Sequence, residues 1–172
     1  MSDTITVHEN GQPISFTFAE ILKYHGFGYP GGVAHAFKVM QRAFPLLDGG
    51  HPPERRELAM DTAFPGPGGR DAFEMVTRMV TAGRYNVDLA LASDDVLSSP
   101  KGRYLFRFHY RGTTVDLTLR PGLVHDEFIM LAAKETRTAT EEERLVWLKN
   151  DMAQRLLSLP ADEVYDAKRV EG

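Results

Sequence analysis

The sequence predicts an α+β fold: a mixed or antiparallel sheet of about five strands packed with helices, in one domain spanning 1–172. Three observations carry that expectation. Apolar residues recur at helical spacing in 31–47 and 70–81. Two neighbouring segments, 103–110 and 114–120, alternate well around Arg111-Gly112. The order helix, helix, strand, helix, strands, helix does not alternate as a doubly wound sheet does.

Taken in order, the first dozen residues read as a short arm, with 4–8 fitting a strand. A short helix follows at 18–24, opened by Thr17 with Glu20 three residues on, the pattern of a capping box. It stops in HGFGYPGG, which cannot stay helical. The next helix, 31–47, turns Val33, Phe37, Met40 and Phe44 inward and closes at Asp48-Gly49-Gly50. Residues 57–64 suit a buried strand, and FPGPGG makes a second Gly/Pro turn. Helix 70–81 places Phe73, Val76 and Val80 on one side, and 87–92 fits a further strand. In the hairpin, Tyr104, Phe106, Phe108 and Tyr110 share one face, opposite Leu105, Arg107 and His109. A last helix, 140–158, is capped by Thr140, carries three glutamates in its first turn, and buries Leu145, Leu148, Met152 and Leu156. Pro160 stops it, and the polar tail from Ala161 is expected to wrap or fray.

The net charge of −4 and scattered basic residues argue against nucleic acid and anionic membrane as partners. No stretch approaches the ~18 apolar residues of a transmembrane helix. The opening MSDTITVHENGQ has no signal-peptide pattern, so a cytoplasmic protein is expected. The absence of cysteine excludes disulfides, thiolate metal sites and thiol nucleophiles within the sequence. A metal, if bound, must use His, Asp, Glu, Tyr, Met or backbone oxygen.

The segment that bears on chemistry is TFAEILKYHGFGYPGG, residues 17–32. His25 sits where one helix stops, and four glycines let the backbone approach a ligand closely. The next helix begins there, with free N–H groups and the positive end of its dipole. An imidazole in that setting suits acid/base work or ligation. A glycine-rich turn with a hydrogen-bonded histidine accounts for the same residues.

Tyr24, His25, Gly26, Pro30 and Gly31 match, in type and spacing, a motif of the form F-H-G-H-x-C-P-G. Asp71, Ala72 and Thr77, with Gly83, Arg84 and Asn86, are similar to a second segment of the same family. On these residues, 17–119 resembles the N-terminal domain of the FmdE family of formylmethanofuran dehydrogenase proteins. Phe27 stands where the family has its second histidine, and Tyr29 and Met79 stand where it has cysteines. The resemblance implies an α+β dimer with a site around His25. It does not carry over thiol chemistry: with a reference pKa of about 10, Tyr29 cannot replace a helix-activated thiolate. Family members also carry a C-terminal cysteine-rich zinc module, for which these residues supply no cysteine.

The expected site therefore has His25, Tyr29 and Asp71 as catalytic candidates, with His25 also the metal candidate. Tyr24, Phe27 and Arg84 are candidate ligand-binding residues: the aromatics could wall a pocket or stack on a planar molecule, and Arg84 could hold a carboxylate or phosphate. A divalent metal is one cofactor compatible with this set; haem on His25 or Tyr29 is another. The preferred expectation is a small-molecule or metal-linked site at the His25 loop in a homodimer. The alternatives are a cofactor carrier, and an interaction protein that has lost the family chemistry. His35 is expected at the border of its helix's apolar face, His51 in solvent and His109 half exposed in its strand. In His125-Asp126-Glu127, successive side chains diverge, so joint chelation is not expected.

Overall fold

In the computed structural model, which describes residues 4–171, the hairpin of alternating segments is the centre of the sheet. Strands β1 (Thr4–Glu9) and β2 (Gln12–Thr17) form a separate ribbon, followed by helices α1 (Phe18–His25) and α2 (Pro30–Leu47). A 3-10 turn (Arg55–Glu57) leads into β3 (Ala59–Thr62), then α3 (Pro67–Thr77), β4 (Tyr85–Val87) and the small pair β5 (Ser98–Ser99) and β6 (Gly102–Arg103). Strands β7 (Leu105–Tyr110) and β8 (Thr113–Leu119) precede α4 (Asp126–Ala133), α5 (Ala139–Ser158), the single turn α6 (Ala161–Val164) and β9 (Tyr165–Arg169). The main sheet has the order β4-β3-β7-β8-β9, with only β3 and β4 parallel. The fold is α+β, as the periodicities predict.

The alternation of β7 and β8 sets which face is covered. Phe106 pairs with Leu117 and Phe108 with Val115, and all four are buried against the helices. Burying one such phenylalanine is worth roughly 2–3 kcal/mol. The opposite face is polar: Arg107 donates to Asp116 at 2.6 and 2.9 Å, and His109 Nε2 lies 2.7 Å from Asp61. Helix α2 crosses the covered face with Val33, Phe37, Met40 and Phe44 in the core. Thr17 and Glu20 form the capping box of α1. Among the described residues, no helix is long and apolar enough to cross a membrane.

Several local expectations change. β2 is a full partner of β1, joined through Asn10 (φ 52°) and Gly11 (φ 79°). Asn-Gly is the pair that a tight hairpin turn with two positive φ angles selects, and Glu54 accepts from both of their amides, at 3.0 and 2.6 Å. Helix α3 starts three residues before the predicted 70, with Pro67 at its first position, and ends at Thr77. Arg78 turns left-handed (φ 60°), and Glu74 takes the amides of Val80 and Thr81. Residues 88–92 leave the sheet, so the strand there is only β4. Thr138, not Thr140, caps α5. The tail does not fray: β9 is an edge strand along β8 and buries Tyr165.

Candidate functional site

Three helices place the residues around His25. α1 ends at that residue because Gly26 (φ 97°, ψ 170°) leaves the helical region, closing the last turn with its amide on Leu22 O at 2.7 Å. The conformation at Gly26 is one that glycine adopts without steric cost. Pro30 then occupies the first position of α2, where its missing N–H costs nothing. α3 packs across both earlier helices, and its start meets that of α2 at Gly68 and Gly32. A Cβ on Gly68 would lie 3.0 Å from Tyr29 O and 3.1 Å from Val33 N, so the two backbones touch. Both helices begin Pro-Gly-Gly and neither has a side-chain cap.

This crossing brings Asp71, on the second turn of α3, to the end of α1. His25 Nδ1 lies 2.8 Å from Asp71 Oδ2. The carboxylate accepts, so Nδ1 carries a proton, and whenever the ring is neutral Nε2 is the nitrogen with the lone pair. Nε2 has no hydrogen-bond partner among the described residues, and the side chain is 8 % exposed against 38 % for Asp71. A histidine held in one tautomer by a carboxylate is arranged for proton transfer or ligation through its second nitrogen. As a metal site the donor set falls short. Among the described residues no three His, Asp or Glu side chains converge, whereas a catalytic zinc takes three protein ligands.

The other candidates separate. The Tyr29 ring lies 5.9 Å from that of His25, so these two and Asp71 form one group. Tyr24, on the last turn of α1, and Phe27, in the loop that follows, are 54 % and 75 % exposed. Arg84 is turned inward: its guanidinium donates to Thr77 O at 2.9 Å, Arg55 O at 3.3 Å and Leu58 O. Those three carbonyls take three of its five N–H donors and hold the side chain against the protein's own backbone. Met79 is fully buried.

Tyr29 also forms one wall of a cleft of about 170 Å³ between the starts of α2 and α3, the β5–β6 pair and α5. Lys149 Nζ stands 4.2 Å and Lys101 Nζ 5.2 Å from the Tyr29 ring centroid. Burial, followed by the charge of Arg137, lowers the Lys149 pKa. Phe64 and Tyr104 stack at 4.5 Å, and Tyr104 stacks on His35 at 5.0 Å, giving a three-ring row along the cleft.

His35 is not the boundary residue the helix pattern suggests. It is 4 % exposed, and its Nδ1 lies 2.8 Å from the Tyr165 hydroxyl on β9. If the hydroxyl donates to Nδ1, both groups are satisfied and only the Nε2 proton lacks a partner. The reverse assignment strands two groups, so the Nε2–H tautomer holds. Nε2 is buried with no partner. Burial, with the charge of Arg155, lowers the His35 pKa to about 3, so the ring is neutral at ordinary pH. The Gly32/His35 spacing, one turn apart on α2, and the repeated Pro-Gly-Gly were the available sequence signals.

His51 is exposed, His109 is 39 % exposed beside Asp61, and His125 is exposed at the N-cap position of α4, with no side-chain capping bond. No model of a known protein family matches the sequence. No curated protein matches it either.

Proposed function

We propose that the chain carries a small-molecule site at the loop from His25 to Tyr29, with His25 as the acid/base or ligating group and Asp71 holding its tautomer. The observation that carries the reading is the 2.8 Å His25–Asp71 pair with His25 Nε2 left unpartnered among the described residues. Tyr29 supports it by standing against His25 on one side and lining a cleft on the other. Kinship with the FmdE family belongs to the same proposal, resting on the motif residues around His25. A family-type transition-metal centre does not: the thiols are replaced and only two donors meet at His25.

Native mass spectrometry with elemental analysis on gently purified protein tests the reading. A bound small molecule that is lost in His25→Ala, with the melting temperature lowered by no more than about 4 °C, supports it. A much larger loss of stability in that variant would mark His25 as a structural residue.

A second reading is favoured by the exposure of Tyr24 and Phe27, and of Trp147 at 54 %. Aromatics in solvent suit a protein interface, and a homodimer is the proposed form. A sedimentation mass of one chain would count against it.

A further inference from the structure

The cleft beside Tyr29 is built for an acidic ligand. Three cations line it, Lys101, Arg137 and Lys149, and no carboxylate does. Arg137 has a partner in Glu142, at 2.9 Å. Lys149 Nζ reaches only the Gly28 carbonyl, at 3.4 Å, and neither it nor Lys101 makes an ion pair among the described residues. The starts of α2 and α3 both border the cleft, through Gly32 and through Gly66, Pro67 and Gly68. Each presents uncapped amides and the positive end of a dipole. His35 adds an independent observation. Its Nε2–H is buried, unpartnered, and set in a ring that lines the same space. A buried donor without a partner is costly to leave unmade, and an acceptor on a ligand would recover that cost.

The rest of the wall is flat and apolar: Phe64 and Tyr104 stacked at an interplanar angle of 19°, with Pro67, Leu145 and Met152. The volume of about 170 Å³ is close to the ~150 Å³ cavity that holds one benzene ring. We propose that this cleft binds a small single-ring aromatic carboxylate, its carboxylate held by Lys149 and Lys101 and an acceptor oxygen on the ring meeting His35 Nε2. This goes beyond the small-molecule reading above: His25 does not line the cleft, and Tyr29 is the residue that the two share.

The test is calorimetric titration of the full chain with 4-hydroxybenzoate, 4-hydroxybenzamide and benzoate, with chemical-shift mapping of the bound state. The acid should bind with its perturbations at Gly32, Gly68 and Lys149. The amide, which lacks the charge, should bind about tenfold or more weakly. Benzoate, which lacks the second oxygen, should also bind more weakly. Lys149→Gln and Lys101→Gln alter partly or fully exposed positions, so both variants should fold, and each should lose about fivefold or more in affinity for the acid alone. Equal affinity for acid and amide would overturn the proposal, as would binding indifferent to both lysine variants. If no aromatic acid binds but a mixed fragment library finds other molecules in this cleft, the carboxylate assignment falls and the small-molecule reading stands. If nothing binds there, this proposal falls, and the His25 reading is decided by its own test.

Discussion

Asp71 Oδ2 meets His25 Nδ1 at 2.8 Å across 46 residues of sequence, joining the end of α1 to the second turn of α3. The pair is partly open to water, so it is worth little as a staple. His25→Ala and Asp71→Ala should each cost about 1 kcal/mol, and the double variant should cost less than their sum by roughly 0.5 kcal/mol or more. Urea unfolding of the four proteins measures this coupling. Full additivity would show that the two side chains do not interact.

The buried His35 sets a pH dependence. Its folded-state pKa of about 3 lies below the ordinary 6.5, so between those values the unfolded chain binds more protons. Stability should therefore fall as pH drops below about 6.5, by about 2 kcal/mol at pH 5. The depressed carboxylates such as Glu74 and Asp61 lose their contribution only at lower pH, as they begin to protonate. His35→Gln should abolish most of the loss between pH 7 and 5, read by urea unfolding at the two pH values. An unchanged slope in that variant would remove His35 as its source.

Neighbouring glycines in α3 should respond with opposite signs. A Cβ on Gly68 meets Tyr29 O and Val33 N at 3.0 and 3.1 Å, both backbone atoms, so Gly68→Ala should destabilise by about 1–3 kcal/mol. A Cβ on Gly69 finds nothing nearer than 3.8 Å, and Gly69→Ala should be neutral or stabilise by up to about 1 kcal/mol. Melting curves decide this, and equal effects would argue against the close crossing of α2 and α3.

Arg84 should behave as a structural residue. Its guanidinium ties Thr77 O and the carbonyls of Arg55 and Leu58 together. Arg84→Ala should cost about 2–3 kcal/mol while leaving the affinity of any ligand in the Tyr29 cleft unchanged. A loss of affinity at full stability would return Arg84 to the site.

What could be read from the sequence depended on where a residue's partner lies. Tyr104 to Tyr110 alternates because one face of β7 is covered by helices and the other is polar, and that contrast is written in consecutive residues. The capping box of Thr17 and Glu20 is equally local. β9 carries only Tyr165 and Ala167 inward, too few to mark a strand, and its pairing with β8 is a tertiary contact. His35 looked peripheral because its partner, Tyr165, is 130 residues away. The motif around His25 was visible, and its link to Asp71 was expected only through family resemblance. The cleft depends on α5 and the β5–β6 turn meeting α2, and no local pattern encodes that meeting.

Nitrogen–proton correlation spectroscopy of the labelled full chain, during titration with a small-molecule fragment library, tests the His25-loop site most directly. Binders should concentrate their shifts on His25, Tyr29, Gly32, Gly68 and Lys149, and lose affinity in His25→Ala or Tyr29→Ala. A library that leaves those resonances unmoved, or binders that gather on another face, would contradict a small-molecule site at the His25 loop.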